Sequence, residues 1–83
     1  MHDSHPQIIA RLKRAEGHLR SVITMMEAGR PCVDVATQLH AVEAALTKAK
    51  RELIHDHIEH CLDGKSVDAK LALKELKQLS KYL

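Results

Sequence analysis

Aromatic side chains are almost missing from this chain of 83 residues, which has one tyrosine, Tyr82, and neither phenylalanine nor tryptophan. That scarcity excludes base-stacking platforms and argues against an aromatic-lined catalytic cleft. The apolar content is instead Leu, Ile, Val, Ala and Met, which suits a helical bundle and not a sandwich or barrel. No apolar run approaches the roughly 18 residues of a membrane span, and the opening "MHDSHPQ" has no apolar segment of the kind a secretory signal carries. The chain is therefore expected to be cytosolic, with no membrane partner. Cysteine is limited to Cys32 and Cys61, and in the cytosol these are expected as thiols or metal ligands, not as a disulfide. Charge of one sign is lacking too, since 13 basic residues face 11 acidic ones for a net +2. A chain this short buries only about 60 to 65% of its unfolded surface. One domain, 1–83, that gains its missing core by self-association is the expectation.

What is present is periodicity. Ile8, Leu12, Ala15, Leu19, Val22 and Met26 alternate steps of four and three, the pattern of a helix packed on other helices. Ser4 with Gln7 forms a capping box, Pro6 fits the first turn, and Gly29 is placed to end the helix. A second series runs Val35, Leu39, Val42, Leu46, Ala49 and Leu53, then continues through Ile58 and Leu62 to a stop at Gly64. After "DGKS", with Ser66 as N-cap, Val67, Leu71, Leu76, Leu79 and Leu83 mark a shorter, lysine-rich third helix. The predicted fold is all-α, a three-helix protomer with a long second helix, without linker, low-complexity segment or internal repeat.

The segment "HDHIEHC", residues 55–61, puts three histidines and a thiol in the last turns of the second helix. His57 and Cys61, four residues apart, share one helix face and can bind one metal ion, but at least one further ligand is needed. Cys32 begins the same helix, and at about 1.5 Å per residue it lies roughly 37 Å from His57, out of reach. A shared site then requires Cys32 from another subunit, which an antiparallel pairing of two second helices supplies in an isologous dimer. His18 and His40 have no neighbouring soft ligand and are set aside; His60, His2 and His5 remain as further candidates. A histidine in a last helical turn or a cysteine in a core is commonplace, and the clustering is what points to a metal.

Basic residues gather elsewhere. Arg11, Lys13, Arg14 and Arg20 lie on the first helix and Lys48, Lys50 and Arg51 at the middle of the second, whereas Asp56, Glu59 and Asp63 lie near the proposed metal end. Such residues often only solvate a helix; the functional alternative is that Arg11, Arg14 and Lys48, with Lys13, Lys50 and Arg51 as further candidates, hold phosphates of DNA. No helix-turn-helix, zinc-finger or basic-zipper pattern is visible, so recognition would rest on backbone contacts and duplex shape.

Cys32, His57 and Cys61 at this spacing, with "LHAVEAALTKAKRELIHDHI", resemble the CsoR/RcnR/FrmR family of small bacterial repressors over nearly the whole chain. The resemblance implies an all-helical dimer that pairs into a tetramer, holds double-stranded operator DNA when empty and releases it when an effector binds. It also implies that Cys32 joins His57 and Cys61 across the dimer interface, and that Arg11, Arg14 and Lys48 contact DNA. Cys-His-Cys is the ligand set of the copper branch and suits Cu(I). However, Pro31 stands where that branch carries a tyrosine, and His2 and His5 match the N-terminal histidines of nickel and cobalt sensors, which favours Ni(II)/Co(II). A formaldehyde sensor using Cys32 would need an N-terminal proline; Pro6 lies too far inside, and Cys61 would have no purpose. Two other readings stay open: a cytosolic metal buffer or chaperone without DNA function, and an enzyme built like the small helical chorismate mutases. The second leaves both cysteines idle, so no enzyme is expected.

Overall fold

The computed structural model describes residues 5–62 and 69–83, and of residues 61 and 62 the backbone alone. The expectations placed on His2, Ser4, Gly64, Ser66 and Val67 lie outside the described residues. Three helices follow one another: α1 (His5–Glu27), α2 (Cys32–Leu62) and α3 (Ala69–Leu79), the last closing in a 3₁₀ turn over Ser80–Tyr82. No strand occurs among the described residues.

Pro6 occupies the first turn of α1, where its missing N–H is no loss. At the other end Gly29 adopts φ +72°, and its N–H donates to the Met26 carbonyl at 3.1 Å while the Arg30 N–H donates to that of Met25 at 3.0 Å. This pair of bonds is a Schellman closure, and its left-handed residue is one that a side chain would strain. Two residues later α2 begins: the Pro31 carbonyl accepts from the Val35 N–H at 3.1 Å, and Asp34 in the first turn pairs with Arg30 at 3.4 Å. The 31 residues of α2 contain no glycine or proline and are rich in Ala, Leu and Glu, so nothing breaks the helix over its length.

α1 and α2 form an antiparallel hairpin that uses only half of each apolar series. Ile8, Ala15 and Val22, spaced by seven, are buried with Val42, Ala49 and Ile54. Leu12, Leu19, Leu39, Leu46 and Leu53 stay between 40% and 46% exposed, and Met26 more so. At 100° per residue these leucines lie to one side of the buried row, and Arg11 and His18 lie to the other. The hairpin thus has an apolar side and a polar side. The chain as a whole is long and thin, with extents of 54 × 23 × 13 Å. The radius of gyration is 17.1 Å where a compact chain of this length would have about 12 Å. The accessible surface, 6614 Å², exceeds by about a third the roughly 5,000 Å² of a compact protein of 9.3 kDa.

α3 is amphipathic, with Leu76 and Leu79 half-buried and Leu71 and Leu73 exposed. It stops at Leu79, four residues short of the expected end at Leu83. There the Ser80 hydroxyl donates to the Lys77 carbonyl at 2.7 Å, and the Leu83 N–H turns back to the Ser80 carbonyl at 3.4 Å. A serine competing for backbone groups is a common way to close a helix.

Candidate metal centre and nucleic-acid interface

His57 is half-buried near the end of α2, where its Nε2 lies 2.9 Å from Oε2 of Glu75 on α3. A carboxylate only accepts, so in this contact Nε2 carries the proton and donates it. Metal-binding histidines are typically oriented by such a carboxylate. Glu75 was not singled out from the sequence, although it is the one acid in the lysine-bearing α3. Cys61 is four residues beyond His57 in the last turn of α2, and its side chain lies outside the described residues.

Cys32 stands at the first turn of α2 as an exposed free thiol. One unbroken helix separates it from His57, so the two cannot meet within a chain. Among the described residues no three of His, Cys, Asp and Glu lie close enough to hold one metal ion. Of the additional candidates, His60 is exposed on α2. His5, in the first turn of α1, comes to the same end of the hairpin as His57, its Nε2 3.9 Å from Oδ2 of Asp56.

The polar side of the hairpin gathers the basic candidates. Arg11, Arg14 and Lys48 line a cleft of about 320 Å³ together with Ala15, His18 and Ala45. Arg51 lies along a larger groove that Arg11 and Lys48 also border. Lys50 instead faces the apolar side, beside Leu19, Leu39 and Leu46, and Lys13 is exposed on the outer side of α1. Two of the three further basic candidates therefore lie away from the cleft. His18, set aside on sequence, belongs to it. Its Nε2 is 2.7 Å from Oε1 of Gln38, tying α1 to α2 at the cleft's edge. The signal was its position seven residues after Arg11, on the same helix face.

Three helices with a long, unbroken second one define the class of protein, a small all-helical one. The family described as Metal-sensitive transcriptional repressor matches residues 4–83, and the chain belongs to it. This is a family of transcriptional repressors, not of enzymes, which disposes of the chorismate-mutase analogy. The chain is 43% identical over 72 residues to the copper-sensing transcriptional repressor CsoR of Bacillus subtilis, covering 84% of this chain and 71% of that one. It is 38% identical over 82 residues to its counterpart in Mycobacterium ulcerans, covering 96% and 70%. In three dimensions it matches the nickel-responsive transcriptional regulator InrS with a TM-score of 0.84 at 34% identity, covering 100% of this chain and 97% of that one. No helix among the described residues is long and apolar enough to cross a membrane.

Proposed function

We propose that this chain is a cytoplasmic repressor that binds operator DNA when metal-free and releases it when a transition-metal ion binds between subunits. The ligands are Cys32 of one subunit with His57 and Cys61 of another, and the DNA contacts are Arg11, Arg14 and Lys48. The observation that carries this reading is the length of α2: its 31 unbroken residues hold thiol and imidazole at opposite ends. Only a second, antiparallel copy brings them together. The open row of Leu12, Leu19, Leu39, Leu46 and Leu53 supports the same pairing, because a matching row from another hairpin would complete a four-helix core. Two such dimers form the tetramer.

The donors fit the group. A thiolate pair and an imidazole suit Cu(I), Ni(II), Co(II) and Zn(II) alike. We favour Ni(II) or Co(II), because His5 comes to the His57 end of the hairpin and can raise the coordination number. Cu(I) is the second reading, favoured by relatives named copper-sensing. When bound, the metal supplies a strong, directional tie between the start of one α2 and the end of another. Cys32 and His57, drawn together, shift one hairpin against the other, and the Arg11 and Lys48 clefts then no longer match the spacing of the phosphates. Linkage requires the metal to bind free protein more tightly than DNA-bound protein, typically by about 1 to 3 kcal/mol.

The test begins with duplexes selected from a random pool by the metal-free protein. Binding should weaken steeply with salt, and Lys48→Ala should lower the log–log slope by about 0.9 while leaving metal affinity unchanged. Cys32→Ala should keep DNA binding and lose release by metal. Anaerobic titration followed by absorption separates the metals, since thiolate-to-Ni(II) bands are absent for Cu(I). Metal affinity that is the same on and off DNA would reduce the chain to a metal buffer.

A further inference from the structure

Arg11 is not an unengaged cation. Its Nε lies 3.1 Å from Oε2 of Glu52 on α2, and both side chains are about one-third exposed, at 35% and 34%. Glu52 is one turn beyond Lys48 and borders the same groove as Arg11, Lys48 and Arg51. Along that groove Lys48 and Arg51 of α2 are flanked by acids, Glu43 before them and Glu52, Asp56 and Glu59 after. Of the three cations of the cleft assigned above to phosphate, Arg11 is thus already held by a carboxylate from the neighbouring groove.

We infer that Glu52 is a built-in competitor for DNA at Arg11. A carboxylate and a phosphate offer a guanidinium the same chemistry, a pair of anionic oxygens, and the two cannot share Arg11 closely without repelling each other. The partial exposure of the pair makes exchange easy: Glu52 has a flexible side chain, and solvent is at hand for the carboxylate that leaves. DNA binding therefore includes a displacement, in which Glu52 swings off Arg11 and a phosphate takes its place. The pair lowers affinity for any duplex, whatever its sequence, and so keeps binding weak enough for release. This inference rests on the repressor reading, and Glu52 is the residue on which the two can be told apart.

The experiment uses the metal-free full chain and a labelled duplex of mixed sequence at moderate salt. Wild-type protein that does not bind the duplex even at low salt overturns the DNA reading, and this inference with it. Given wild-type binding, Glu52→Gln should bind about two- to fivefold more tightly, the range expected for releasing an exposed ion pair. Its helix content and oligomeric state should be unchanged. Glu52→Ala, a better helix former, should show the same gain and serves if the glutamine variant folds poorly. In an Arg11→Ala background Glu52→Gln should give less than half that gain. Unchanged or weaker binding by both Glu52 variants overturns the competitor, and weaker binding makes Glu52 a residue that positions Arg11 for DNA. A full gain without Arg11 also overturns it, since the effect would then belong to net charge and not to the pair.

Discussion

The two ends of α2 are built to different degrees of completion. At its C-terminal end His57 is half-buried and oriented by Glu75, with α3 folded against it and His5 arriving from α1. At its N-terminal end Cys32 follows a tight glycine turn and stands exposed. One end is arranged within the chain and the other only delivers a thiol to the outside. The difference teaches what the proposed assembly has to supply: if His57 and Cys32 share a metal, the thiol must come from another copy, because one unbroken helix keeps the two apart.

The sharpest way to break this comparison is to divide the ligands between chains. Cys32→Ala and His57→Ala/Cys61→Ala proteins should each bind metal more weakly by more than about a hundredfold, since losing a ligand costs more than losing a group that orients one. A mixture allowed to exchange subunits should recover one intact site per heterodimer. An exchanged mixture that recovers none would mean that the two ends do not meet. Next in size is Leu46→Glu, which places a charge on the open apolar row; sedimentation should show self-association weakened by roughly 2 to 3 kcal/mol. If the variant assembles like wild type, the row is not the interface.

Glu75→Ala probes the prepared end and should weaken metal binding by about tenfold by releasing the His57 ring. Glu75→Gln keeps an acceptor for Nε2–H and should lose less. Equal affinity across the three proteins would show that the ring is held by packing alone. The smallest effect is expected at the other end, where Gly29→Ala forces a side chain into the left-handed region and should cost about 1 kcal/mol by urea denaturation. An unchanged midpoint would show that the approach to Cys32 does not depend on this turn.

The helices were legible because their signals are local. The 3–4 spacing from Ile8 to Met26 and from Val35 to Leu53, and the glycine at 29, are patterns within one turn or two of the chain. The proposed ligands were picked out on equally local signals, since His57 and Cys61 are one turn apart and Cys32 is the other thiol of the chain. Glu75, His18 and Glu52 were not. Their roles depend on partners 18, 20 and 41 residues away, at Glu75–His57, His18–Gln38 and Glu52–Arg11. Those pairings are set by how the helices lie against each other, which no periodicity within one helix specifies. The division of each apolar series into a buried and an open row was hidden likewise, because alternate residues of one stripe look alike until the neighbouring helix is in place.

A body 13 Å thick keeps only a narrow row of side chains dry, from Ile8 to Val22 on α1 and from Val42 to Ile54 on α2. If the leucines left open on one side are covered only by another copy, then folding is a reaction between molecules, and its equilibrium carries units of concentration. Diluting the protein should lower its melting temperature, and concentrating it should raise it. A cell that makes few copies would then hold this sensor nearer to unfolding than one that makes many, so that the number of molecules becomes a term in the stability of each.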